Sequence, residues 1–112
     1  MRVLIVDNSP LFHEMLSRLF ANTPLEPEWV LDGRSALTAI QRNTYAFICS
    51  SYHLKDMSGV ELCREARRMR ASAYTPFILF TSEPTLAVIQ EAYIAGVTDI
   101  FSKEDLEQLV IF

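Results

Sequence analysis

Val3-Leu4-Ile5-Val6-Asp7-Asn8-Ser9-Pro10 holds, in one short stretch, a strand, a polar crevice and the start of a helix. Four successive apolar residues rich in β-branched side chains suit a strand covered on both faces, as parallel sheets are. Ser9 is of the residue type that caps a helix, and Pro10 fits the first helical position because its missing N–H would have no partner there. Leu11, Phe12, Met15, Leu16, Leu19 and Phe20 then recur at helical spacing until Pro24 forbids continuation.

Working outward, the same alternation recurs along the whole chain. Further short apolar runs lie at 29–31, 46–49, 77–80 and 99–101, the first and last of them edge-like. Between them are segments long enough for the crossover helices that parallel strands require. After the turn pair Asp32-Gly33 a helix is predicted over 34–42, with Ala36, Leu37 and Ile40 inward. A third begins near Ser58-Gly59, with Val60, Leu62, Cys63, Ala66 and Met69 on one side and Glu61, Arg64, Glu65, Arg67 and Arg68 on a solvated face. A fourth, over 84–95, has so few polar residues that it is either deeply buried or half of an interface. A last helix would start near Glu104 and run into Leu109-Val110-Ile111-Phe112, an apolar end that suggests a piece of a longer protein. Strands alternating with helices read as one doubly wound α/β domain over 1–112.

Composition narrows the function classes. The 112 residues are half apolar and 21% charged, ample for a core and unlike a disordered chain. A net charge of −4 argues against broad contact with nucleic acid or an anionic membrane. The basic cluster Arg64, Arg67, Arg68 and Arg70 is interleaved with Glu61 and Glu65 and lacks stacking aromatics, so a solvated face accounts for it better than nucleic-acid binding. No apolar run approaches the roughly 20 residues that span a bilayer, and the expected location is cytoplasmic. Cys49 and Cys63 lie inside apolar patterns without metal-type spacing, which predicts two reduced, covered thiols. With Gly33, Gly59 and Gly96 as the only glycines, neither a phosphate loop nor a dinucleotide fingerprint can be written.

In an open parallel sheet the functional crevice lies beyond the carboxyl ends of the strands. The residues there are Asp7 and Asn8, Ser50 and Ser51, Thr81 and Ser82, and Ser102 with Lys103. An acid, hydroxyls and an ammonium converging from four loops make a pocket for phosphate or cation chemistry.

Val3 to Ser9, the turn Leu31-Asp32-Gly33-Arg34-Ser35-Ala36-Leu37, Met57-Ser58-Gly59-Val60-Glu61-Leu62, Phe77-Ile78-Leu79-Phe80-Thr81-Ser82 and Ala95-Gly96-Val97-Thr98-Asp99 with Lys103 together resemble, in order and spacing, the receiver domains of two-component response regulators. The resemblance covers essentially the whole chain. It implies a flavodoxin-like (βα)5 domain whose five parallel strands run in the order 2-1-3-4-5. It also implies phosphoryl transfer from a histidine kinase to an aspartate ending the third strand, with a divalent cation held by that aspartate and an acidic pair.

Matched residue by residue, Asp7 falls on the first acid, Thr81 on the switch hydroxyl and Lys103 on the phosphate-facing lysine. The acceptor position, eight residues before Gly59, falls on Ser51, and Asn8 stands where the second acid belongs. Thr81 and Lys103 follow Ser51 by 30 and 52 positions, in keeping with the family's spacing, so the register holds. Asp56 lies too far along its loop to replace the acceptor, and His53 reads as a surface loop residue. Ile100 occupies the aromatic switch position, Lys55 the usual proline after the third strand, and Glu104 the proline after the lysine.

One carboxylate facing one ammonium predicts weak or absent Mg2+ binding, no cofactor and no catalytic residue. Asp7 and Lys103 are expected to pair, and Thr81 serves equally well as a strand-end cap. The expected function is a pseudo-receiver: a phosphorylation-independent regulatory or dimerisation module, not an enzyme, working through protein partners and an output domain elsewhere. Its candidate interface spans the fourth helix, fifth strand and fifth helix, with Leu86, Ile89, Tyr93 and Phe101 as the residues to mutate; Ile89 and Tyr93 serve equally well as core. The alternatives are a working phosphorelay receiver with an unusual acceptor, Ser51 phosphorylated by a serine kinase, or a small-ligand-binding flavodoxin-like domain.

Overall fold

The computed structural model describes residues 1–106. Five strands, β1 (Arg2–Val6), β2 (Glu26–Val30), β3 (Phe47–Ser51), β4 (Phe77–Thr81) and β5 (Asp99–Ser102), alternate with helices α1 (Pro10–Phe20), α2 (Gly33–Arg42), α3 (Gly59–Arg68) and α4 (Leu86–Ala95). The strands form one parallel sheet in the order β2-β1-β3-β4-β5, the flavodoxin-like arrangement.

The period of two along β1 divides the core. Leu4 and Val6 join Ala36, Ile40, Val60, Leu62, Cys63 and Ala92 under α2, α3 and α4. Val3 and Ile5 join Phe12, Met15, Leu16, Cys49 and Phe80 under α1. Each fully buried aliphatic side chain of this set contributes about 1.5–3 kcal/mol over leaving it in water. Cys49 and Cys63 are buried free thiols in separate clusters, and burial pushes Cys49 up to about 12.

Each of α1, α2, α3 and α4 carries a side-chain N-cap. Ser9, Asp32, Ser58 and Thr85 accept from the backbone N–H groups of Phe12, Ser35, Glu61 and Val88. Gly96 ends α4 in the left-handed region at φ 103°, where a side chain is strained. Gly59 is set by close approach: a Cβ there would stand 2.3 Å from the Ser51 carbonyl oxygen.

Several expectations are corrected. The second strand starts at Glu26 and ends at Val30, not over 29–31; Pro27 conceals it, being tolerated because β2 is an edge strand. Leu31 is exposed beyond it. In α1 the buried stripe is Phe12, Met15 and Leu16. Leu11 lies at the edge of that stripe and is exposed, and Leu19 sits in the last turn, where it lines an apolar groove with Phe20, Phe47, Phe101 and Leu106. The fourth helix begins at Leu86 rather than residue 84 and buries only Ala92 and Ala95. The last helical turn starts at 103, one residue before Glu104, and the run Leu109-Val110-Ile111-Phe112 lies outside the described residues. No helix among the described residues is long and apolar enough to cross a membrane.

Candidate functional site

Strand register assembles the crevice. Val6 pairs with Ser50, Ser51 with Phe80 and Thr81 with Ser102, so Asp7, Ser51, Thr81 and Lys103 all emerge at one edge of the sheet. Asp7 is 2% exposed, Ser51 1% and Thr81 4%.

Asp7 is held from every side. Its backbone N–H donates to the Val30 carbonyl at 3.1 Å, and its own carbonyl accepts from His13 Nε2 at 2.7 Å. Oδ1 accepts from the Ser9 backbone N–H at 2.6 Å. Oδ2 accepts from the Ser51 hydroxyl and from Lys103 Nζ, the latter at 3.0 Å. The Lys103 ammonium also lies 4.7 Å from the centre of the buried Phe12 ring, a cation–π contact. His13 in turn stacks on Trp29 of β2, with ring centres 4.3 Å apart. Neither His13 nor Trp29 was singled out by sequence reasoning as belonging to this site; a polar residue on an amphipathic helix gives no sign that it reaches a neighbouring carbonyl.

The other expected residues separate from this cluster. Asn8 is exposed. Thr81 Oγ1 accepts from the Glu83 N–H at 3.2 Å in a turn at the strand end, and Thr81 borders an open cleft of about 390 Å3 with Tyr52, His53, Ser82, Glu83, Thr85 and Val88. Ile100 is half-buried against the α2–α4 core. On the α4 side Leu86 is 70% exposed and Tyr93 50%, Ile89 is half-buried, and Phe101 is exposed with its ring 5.9 Å from Phe80. Of the two residues weighed equally as core or surface, Tyr93 is therefore a surface residue.

Asp56 stands apart from the pocket, at the start of α2. Its carboxylate accepts from the Gly33 and Arg34 N–H groups at 2.9 and 3.0 Å, and these amides, with the Arg34 charge, hold it below the usual carboxylate range. Arg67 leaves the face expected for it: its guanidinium is half-buried and donates to the carbonyls of Gly96, Ser72 and Thr75. No group of three or more His, Cys, Asp or Glu side chains among the described residues is placed to hold a metal ion.

The family model described as the response regulator receiver domain matches residues 3–111. Chemotaxis protein CheY of Pseudomonas aeruginosa is 27% identical over 115 residues, covering 98% of this chain and 90% of its own length. The DNA-binding response regulator MtrA of Mycolicibacterium smegmatis is 26% identical over 102 residues, covering 91% of this chain, which spans only 43% of MtrA. Among solved structures, the chemotaxis response regulator CheY4 of Vibrio cholerae superposes with a TM-score of 0.83 at 28% identity, covering 98% of this chain and 95% of that one.

Proposed function

We propose, from the premise that this chain belongs to the response regulator receiver domain family of two-component signalling, that it is a receiver fold that no longer accepts a phosphoryl group. It acts instead as a phosphorylation-independent regulatory or dimerisation module. The observation that carries this reading is the closed Lys103–Asp7–Ser51 cluster, in which a single carboxylate is neutralised by the chain's own ammonium.

The chemistry follows from charge. Mg2+ holds its water tightly and is captured by carboxylates together with phosphate. Here the donor set is one carboxylate, an exposed amide and a hydroxyl, and both oxygens of the carboxylate already accept hydrogen bonds. The residues therefore do not fit a resident divalent ion. Without the ion, phosphoryl transfer loses its main charge stabilisation, and a hydroxyl at residue 51 needs a base to attack. The Asp7 carboxylate that accepts the hydrogen bond of this hydroxyl is already engaged by Lys103 and the Ser9 N–H. Regulation then passes through surfaces, and the exposed apolar side chains of α4 and β5, Leu86, Tyr93, Ile94 and Phe101, are the surface we assign to a second copy of the chain.

The test is titration with Mg2+ and beryllofluoride followed by amide chemical shifts, with acetyl phosphate and intact-mass detection on the same protein. Unchanged shifts at Asp7, Ser51 and Thr81 and no added phosphate are expected. Restoring acids with Asn8→Asp and Ser51→Asp should create saturable Mg2+ binding. A phosphoryl adduct on the unaltered chain would overturn the proposal and make this a working receiver.

A further inference from the structure

The loop that follows Ser51 is fastened at its tip to the start of α2. Within residues 52–59 the chain folds back on itself: Gly59 N–H donates to the Tyr52 carbonyl at 2.7 Å, Leu54 N–H to the Met57 carbonyl at 3.2 Å, and His53 bridges to Ser58. Its tip, Asp56-Met57, reaches across to α2. The Asp56 carboxylate takes two of the N–H groups that a helix start leaves without partners, while Asp32, the helix's own cap, takes a third at Ser35. Beside it, Met57 lies against buried Gly33 so closely that a Cβ at residue 33 would stand 2.4 Å from its sulfur. A helix N-terminus that already has its own acidic cap is thus given a second carboxylate from 23 residues away.

We propose that Asp56 and Met57 form a two-point clasp between the β3–α3 loop and the start of α2, and that this clasp holds Tyr52 and His53 in place as one wall of the cleft beside Thr81. The carboxylate supplies direction, because charge-assisted bonds to two successive amides fix its plane. The thioether supplies shape, because a flexible unbranched side chain fills the notch left by a residue without a Cβ. The loop position is therefore set by α2 rather than by anything bound in the crevice. This assignment is independent of whether residue 51 accepts phosphate.

Amide hydrogen exchange tests it. In Asp56→Ala the Gly33 and Arg34 amides should exchange about tenfold faster or more, the loss expected for charge-assisted bonds. The Leu54 and Gly59 amides inside the loop should speed up with them, while those of Leu4 and Ile5 in β1 keep their protection. Gly33→Ala opens the clasp from the other side: the residue's backbone accepts a side chain, Met57 must leave, and the loop amides should again exchange faster with Asp56 untouched. If Asp56→Ala loosens β1 as well, Asp56→Asn, which keeps the shape and one acceptor oxygen, is read in its place. Faster exchange confined to Gly33 and Arg34, with Leu54 and Gly59 unchanged in both kinds of variant, would reduce Asp56 to a helix cap and overturn the clasp. Unchanged exchange throughout would do the same.

Discussion

Asp7 concentrates the electrostatics of the molecule in one side chain. A carboxylate buried this deeply is tolerated because Ser9, Ser51 and Lys103 satisfy its oxygens, and removing one partner leaves charge without compensation. Lys103→Ala is expected to cost about 2 kcal/mol in urea unfolding, less than a fully buried pair because the lysine side chain is 26% exposed. Asp7→Asn added to that variant should recover part of the loss, since a neutral amide needs no counter-charge; no recovery would show that Lys103 acts through packing on Phe12. A second residue gives a pH signature. Tyr45 is pushed up to about 12, first by burial and then by the neighbouring Glu28 carboxylate, to which its hydroxyl donates at 2.7 Å. Between its ordinary value of 10.0 and about 12 the unfolded chain gives up a proton that the folded chain keeps, so stability falls as pH rises through that window. Urea midpoints across it should drop more steeply for the parent than for Tyr45→Phe. Spectrophotometric titration should find one of the four tyrosines ionising late.

Among the elements, α3 and α4 are joined by a contact that charge counting disguises. Arg67 sits at the end of α3 and donates from Nε and Nη2 to the Gly96 carbonyl at 3.1 and 2.9 Å, and from Nη1 to Ser72 and Thr75 at 2.8 and 2.6 Å. It thereby ties the α4 terminus and the segment before β4 to one helix end. Arg67→Ala should destabilise by about 3 kcal/mol, because several charge-assisted bonds vanish and carbonyls lose their donors. Arg67→Lys should restore less than half, since an ammonium cannot span three carbonyls set for a planar fork. At the same junction Gly96→Ala combines a left-handed backbone with a Cβ 3.0 Å from Arg67 Cγ and should cost about 1–2 kcal/mol in the same assay. Among the helix caps, Ser9 is plain from sequence, while Asp32 reads there as part of a turn pair and Ser58 only as a helix start; in the structure all three bond as N-caps.

At the scale of the molecule, one parallel sheet separates a face covered by α2, α3 and α4 from a face covered by α1, and every crossover feeds polar residues to the same edge. Of the large apolar side chains that this packing leaves outside, Leu86, Tyr93, Ile94 and Phe101 lie on α4 and β5, whereas Met1, Leu11, Leu19, Leu31 and Tyr74 are scattered over other elements. Replacing Leu86 and Ile94, 70% and 83% exposed, with serine should leave unfolding stability within about 0.5 kcal/mol. Sedimentation should then report loss of self-association, and association that persists would move the interface to another face.

Sequence by itself determined the strand count, the existence of α1 to α4, the sheet order through the family resemblance, and the placing of Asp7, Ser51, Thr81 and Lys103 at the strand ends. The strands, helices and crevice positions follow from local periodicity, caps and fixed spacing, which act between near neighbours in the chain, whereas the sheet order rests on the resemblance. The bounds of β2 escaped because an edge strand tolerates Pro27, which breaks the apolar pattern. Tertiary structure alone decided that His13 supports Asp7, that Arg67 is a strut rather than a surface charge, that Asn8 is exposed, and that Asp56 reaches α2. In each case the partner is a backbone amide or carbonyl, or solvent. Every residue carries the same backbone groups, so no pattern of side chains announces which of them a distant charge will meet.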